Sequence, residues 1–174
     1  MVCEILTADR CAAAVFWAAL LWASVADVRS LRVPNAAVAL ALVAALAHGL
    51  GSMGSFLEGL LVCGGAMLVV HVRGLVGAGD VKLSAAVGAY LGAACGAAAL
   101  AIASALTIAA AALVMMKKGG IGGWLRLNAA AVVFGPKLLV EALPVEERVY
   151  LPKAPFLLCG ALGASAAARL LSLC

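Results

Sequence analysis

Long apolar runs, interrupted only by short breaks, constrain the fold of this chain more than any other feature. One run is CAAAVFWAALLWASVA at residues 11–26, and similar runs recur along the 174 residues. Apolar stretches of about 17 to 25 residues can cross a bilayer as an α-helix. The runs show no alternation of period two, which argues against a membrane β-barrel. The sequence therefore predicts an all-α, polytopic membrane protein.

We expect about six transmembrane helices in a single membrane domain that covers residues 1–174. The predicted spans are residues 11–26, 36–50, 55–72, 81–92, 93–116 and 154–173. Pro34 and Asn35 mark the start of the second span, with Asn35 as a suitable helix N-cap. The first span resembles a signal peptide, but its acidic leading segment and the arginines that follow it favour a retained helix.

The segment before the last span differs from the rest of the chain. Residues 117–153 contain many of the charges and three of the five prolines. We interpret this segment as a cytoplasmic loop with an amphipathic, interfacial part at residues 124–143, with a short re-entrant piece as the alternative.

The basic residues predict how the chain is oriented in the membrane. An outside N-terminus puts ten of the twelve Lys and Arg residues in the cytoplasm and leaves only Arg10 and Arg169 outside. Cytoplasmic loops carry an excess of Lys and Arg. We therefore expect a multi-pass protein of the inner (cytoplasmic) membrane with its N-terminus outside.

Several kinds of partner are not expected. The net charge of +4 is modest and its basic residues lie at helix ends, so the sequence does not predict nucleic-acid binding. The six cysteines are scattered singly, which gives no metal site and no redox pair. No cofactor is predicted. The expected partners are the lipid bilayer and a protein substrate.

Two glycine features stand out around the fourth span. Gly88, Gly92 and Gly96 recur every four residues, which predicts close packing of helix backbones in lipid. Gly77 and Gly79 precede the span within GAGDVKL, where glycine permits a close main-chain approach and a positive φ.

Asp27 and Asp80 are the candidate catalytic residues. Asp27 ends the first span and Asp80 begins the fourth, so both are expected at the cytoplasmic boundary. Alternatively, Asp80 caps its helix, and Asp27 is a loop residue paired with Arg29 or Arg32. Ionisable groups at membrane depth are costly, which favours a functional role.

A pair of carboxylates that shares one proton can hydrolyse a peptide. One carboxylate accepts a proton from the attacking water, while the other donates to the developing oxyanion and to the leaving amine. Helix dipoles favour a negative charge at Asp80, near a helix N-terminus, and disfavour it at Asp27, near a helix C-terminus. We therefore expect the shared proton to reside mainly on Asp27.

Three motifs resemble those of the type IV prepilin peptidases. They are D-x-R-x-x-x-[IV]-P-N at Asp27–Asn35, G-x-G-D-x-K at Gly77–Lys82, and a late P-x-x-P-[FY]-L segment that begins at Pro152 and is followed by Gly160. Lys153 departs from the glycine or aromatic residue expected after Pro152. The resemblance covers roughly residues 11–172.

The resemblance implies a membrane aspartic endopeptidase that removes the short basic leader of prepilins at the cytoplasmic face. Asp27 and Asp80 match the family's catalytic pair. The other motif residues are expected to bind substrate or support the site: Gly77, Gly79, Lys82, Arg29, Pro34 and Asn35.

The sequence is similar to the short form associated with tight-adherence (Flp-type) pili. The insertion with paired cysteines that accompanies N-methylation in longer members is missing from it. N-methyltransferase activity is therefore not expected.

Two alternative functions remain open at this point. G-x-G-D also occurs in presenilin-like proteases, which cut within a transmembrane substrate. A small transporter or channel subunit could instead use Asp27 and Asp80 in an ion path.

Overall fold

All regular structure in the described part of the chain is helical. The computed structural model describes residues 2–73, 76–119 and 152–172, and it contains no strand in these ranges. The helices are α1 (Val2–Ser30), α2 (Asn35–Gly49), α3 (Met53–Val72), α4 (Ala78–Leu91), α5 (Ala93–Gly119) and α6 (Ala154–Ser172). The predicted all-α class is confirmed. The predicted interfacial segment at 124–143 lies outside the described residues, as does most of the loop around it.

Helices α2 to α6 begin and end within one turn of the predicted spans, whereas α1 is much longer than predicted. It has 29 residues and includes Asp27, which was expected to end the first span or to begin a loop. Val28, Arg29 and Ser30 continue the helix because the first strong breaking signal, Pro34, comes later. The chain leaves α1 at Leu31, whose φ is 52°.

Within the described helices, three stretches are long and apolar enough to cross a membrane. They are Asp9–Ser30 of α1, Met53–Val72 of α3 and Ala93–Val114 of α5. At 1.5 Å per residue, the 15 residues of α2 extend only about 22 Å, less than the hydrocarbon core of about 30 Å. The protein is thus a polytopic membrane protein, while crossings by the shorter helices α2, α4 and α6 stay a prediction.

The core lies where α1, α2, α4, α5 and α6 pack together. The side chains of Phe16, Leu20, Leu83 and Val87 are fully buried there. The ring of Phe16 stacks on that of Tyr90 at a centroid distance of 3.9 Å. Many large apolar side chains point outward from the bundle, as expected of a surface that faces lipid.

Glycines allow close contact of α3 with α4 and α5. A Cβ atom at Gly59 would lie 2.7 Å from the carbonyl carbon of Gly88, and one at Gly96 would lie 2.8 Å from Sγ of Cys63. The predicted packing role is confirmed for Gly88 and Gly96. Gly92 also packs against α3, since a Cβ atom there would lie 3.1 Å from Oγ of Ser55. In addition, its φ of 80° ends α4 and turns the chain into α5.

Candidate active site

Asp27 lies in the last turns of α1 and connects this helix to the start of α6. Its side chain is only 5% exposed. Its Oδ2 accepts a hydrogen bond of 2.9 Å from the backbone N–H of Ala154, the first residue of α6, 127 positions away. The first N–H groups of a helix lack partners within the helix. Asp27 therefore caps α6 from a different helix.

This contact changes the expected charge balance at Asp27. The C-terminus of α1 disfavours a negative charge there, but the N-terminus of α6 favours one. A hydrogen bond from a backbone N–H to a carboxylate further stabilises the charged form. The expectation that the shared proton resides on Asp27 compared only the dipoles of α1 and α4, and no sequence pattern indicates the opposing contribution from α6.

Asp80 lies in the first turn of α4. It was expected as a possible N-cap, but the N-cap is Gly77 and Asp80 is the third residue of the helix. Its backbone N–H donates to the carbonyl of Gly77 at 3.2 Å. A Cβ atom at Gly77 would lie 3.6 Å from Oδ2 of Asp80. The carboxylate is therefore half-buried beside the turn that opens α4.

The segments that contain the two aspartates contact each other directly. Gly79 packs against Val33, so that a Cβ atom at Gly79 would lie 3.1 Å from Cβ of Val33. Nζ of Lys82 donates to Oδ1 of Asn35 at 3.4 Å. The structure thus brings the first and second sequence motifs together at one end of the bundle.

Some motif residues contribute differently from what was expected. Pro34, not Asn35, occupies the N-cap of α2, and its carbonyl accepts the N–H groups of Ala37 and Val38. Asn35 is the first helical residue, so its side chain is available to Lys82. Gly77 has a φ of −71°, so its turn needs no left-handed conformation. Gly79, within α4, is likewise not at positive φ. The close contact with Val33 explains why the residue at this position is a glycine.

Arg29 and Lys153 differ in how they relate to the two aspartates. The side chain of Arg29 is exposed in the last turn of α1. Lys153, which the sequence distinguishes only as a departure from the late motif, is half-buried and interacts electrostatically with both Asp80 and Asp27. Asp80 and Asp27 also interact with each other. Three ionisable groups therefore lie together at the site.

A cavity of about 350 Å³ extends from the site between the helices. Asp80, Lys153 and Ser84 contribute polar groups to its wall, whereas Met67, Val70 and Leu157 are among its apolar lining residues. Such a cavity can receive an apolar segment of a ligand next to a carboxylate. Among the described residues, no three His, Cys, Asp or Glu side chains gather as metal ligands.

Comparison with protein families identifies a relationship for this chain. The model of the type IV leader peptidase family matches residues 14–116, which is more than half of the chain and includes both aspartates. No curated protein matches the sequence. No solved structure matches the fold.

Proposed function

Because the chain belongs to the type IV leader peptidase family, we propose that it is a membrane aspartic endopeptidase that removes the leader of prepilin-like proteins. The substrate class that we propose is the prepilins of type IV, Flp-like pili. The main support is the arrangement of Asp27 and Asp80, which interact electrostatically at one end of the bundle although they belong to different helices.

The proposed reaction needs only the two carboxyl groups and water. Two neighbouring carboxylates cannot easily both be ionised, so the pair holds one proton at intermediate pH. The ionised carboxylate accepts a proton from water as the water oxygen attacks the scissile carbonyl carbon. The protonated carboxyl donates its proton to the carbonyl oxygen, which gives a tetrahedral gem-diol. As the C–N bond breaks, the carboxyl that took the water proton passes it to the leaving amine. The other carboxylate takes a proton from the gem-diol, so that the pair again holds one proton.

The position of the pair within the helices supports cleavage at a membrane boundary. Asp27 lies three residues before the end of α1, and Asp80 is the third residue of α4. A site at helix ends suits a bond between a polar leader and an apolar helix. A presenilin-like cut within the apolar helix would require a deeper site.

The remaining motif residues have proposed supporting roles. The hydrogen bond between Lys82 and Asn35 connects α4 to the start of α2. Pro34 supports this start as the N-cap of α2. Gly79 allows the first turn of α4 to lie close to Val33, and Gly77, the N-cap of α4, is proposed to leave room for the substrate main chain beside Asp80. Arg29, which is exposed, is proposed to contact the substrate or the lipid surface.

Cleavage of a defined substrate tests the function. The substrate is a purified peptide with a short basic leader, a glycine and then an apolar helix, and the product masses give the bond that is cut. We expect cleavage after the glycine. Asp27→Ala and Asp80→Ala should each lower the rate by roughly 10²-fold to 10⁴-fold or more, because each removes a proton-transfer group.

Asp9→Ala is the matched control. Asp9 is on α1 as well, but it lies near the opposite end of the bundle, where its Oδ1 is 3.0 Å from Nδ1 of His48. This variant should retain cleavage. Efficient processing by either Asp27→Ala or Asp80→Ala would disprove the two-aspartate mechanism. Cuts within the apolar helix would favour the presenilin-like alternative, and a chain that cuts no peptide would favour a transporter or channel subunit.

A further inference from the structure

Lys153 occupies a place in the site that its sequence position does not suggest. It immediately precedes α6, and its half-buried side chain lines the same cavity as Asp80. The next residue, Ala154, donates its backbone N–H to Asp27. Lys153 is therefore connected to one aspartate through the backbone of its neighbour and to the other through the cavity that they share.

An ammonium group in this position needs compensation. The cavity wall is largely apolar, and moving a charge out of water is costly unless an opposite charge is close. Burial lowers the pKa of Lys153, while the negative charges of Asp80 and Asp27 act in the opposite direction. The ammonium and the carboxylates consequently stabilise each other's charged forms.

We propose that Lys153 is a positioning residue of the aspartate pair, whose positive charge keeps one of the two carboxyl groups ionised. This inference rests on the proposed function, since it assigns Lys153 a role in the same reaction. Lys153 itself exchanges no proton with the substrate. It sets the pH range in which the pair contains one proton and one negative charge.

Other charged groups near this end of the bundle have different contacts. Lys82 on α4 donates to Asn35 of α2, and the exposed Arg29 ends α1. On α3, Arg73 is exposed and Nδ1 of His71 is 2.6 Å from the carbonyl of Val76. Ser104 and Thr107 of α5 line the cavity, but their hydroxyl groups do not titrate in the pH range of the aspartate pair. His71 is thus the neighbour whose titration must be controlled.

The proposal predicts the direction of a pH shift. Without the positive charge, the singly ionised pair is less stable, so each proton leaves at a higher pH. Both limbs of the bell-shaped pH profile of cleavage should therefore move upward in Lys153→Met, by about one pH unit. On the acid limb this shift corresponds to a loss of about tenfold in rate. A purely structural role would lower the rate without moving the limbs.

The experiment compares pH profiles of full-length variants in detergent. Lys153→Arg retains the charge and should leave both limbs in place, even if the shape of Arg lowers the rate. Arg169→Met is the matched control, because it removes a positive charge from α6 about 24 Å away along the helix. Its limbs should not move. Repeating Lys153→Met in a His71→Gln background tests whether His71 contributes to the shift.

A second measurement does not depend on substrate. The infrared band of protonated carboxyl groups is titrated in the wild type and in Lys153→Met, with Asp27→Asn/Asp80→Asn as the background that identifies the pair. The midpoint should move upward in Lys153→Met. If the wild type cleaves no prepilin peptide, the proposed function fails, and the infrared titration still decides the role of Lys153. If Lys153→Met leaves the infrared midpoint or the limbs of the pH profile unmoved, the inference about Lys153 is wrong, while the proposed function is unaffected.

Discussion

Gly79 is a point of close contact between the two aspartate-containing segments. A Cβ atom there would lie 3.1 Å from Cβ of Val33 and 3.8 Å from the Val33 carbonyl oxygen. Asp80 is the next residue, so any displacement of Gly79 moves the carboxylate. Catalysis depends strongly on such positions, since a misplacement of about 1 Å can reduce a rate about 10²-fold.

Gly79→Ala should therefore lower activity without lowering stability. The new methyl group pushes α4 and Val33 apart by a few tenths of an ångström, and we expect about a tenfold loss in prepilin cleavage. Ala is favoured over Gly within a helix by up to about 1 kcal/mol, so thermal unfolding should not occur earlier. Val33→Ala combined with Gly79→Ala should restore much of the rate. Failure of this second change to rescue cleavage would show that the contact with Val33 is not the reason for the glycine.

At the level of the elements, α3 and α4 depend on glycine for their contact. Gly59 of α3 faces the backbone of Gly88 and Gly92, and a Cβ atom at Gly59 would lie 3.0 Å from the carbonyl carbon of Gly92. These neighbours are backbone atoms, which cannot move aside as a flexible side chain can. Helices α3 and α4 can therefore approach this closely only because the facing glycines have no side chains.

Gly59→Ala should destabilise the bundle, whereas Gly65→Ala on the same helix should not. Overpacking of a close contact typically costs about 1 to 3 kcal/mol. A Cβ atom at Gly65 would have nothing within 4 Å, so only the gain in helix propensity of up to about 1 kcal/mol applies. Thermal unfolding in detergent measures both variants. Equal midpoints for Gly59→Ala and Gly65→Ala would contradict the assigned packing role.

Across the whole molecule, the sequence predicts what depends on local pattern and misses what depends on distant contacts. The lengths of the apolar runs located α2 to α6, and the glycine spacing predicted the close helix packing around α4. The end of α1 was misplaced because no strong breaker precedes Pro34. The hydrogen bond between Asp27 and Ala154 joins positions that are far apart in the sequence. Its energetic effect exists only once α1 and α6 pack together.

The two ends of the bundle differ in their charged groups. Asp27, Asp80 and Lys153 gather at one end, together with the hydrogen bond from Lys82 to Asn35. At the other end, Asp9 contacts His48, and the ring of His48 stacks on Tyr90 at 4.7 Å. Arg169 lies near the same end, since its charge acts on Tyr90. The basic residues near the aspartates predict that this end faces the cytoplasm.

Single cysteines at the two ends test this orientation in a variant that lacks the six native cysteines. Ser30→Cys places an exposed thiol at the end of α1, and Gly51→Cys places one between α2 and α3, both without altering a charge. In right-side-out vesicles of the cytoplasmic membrane, an impermeant maleimide should label Gly51→Cys at once and Ser30→Cys only after lysis. The reverse pattern would put the aspartate pair outside, where a leader retained in the cytoplasm could not reach it. The labelling therefore tests the predicted orientation and the proposed cytoplasmic cleavage together.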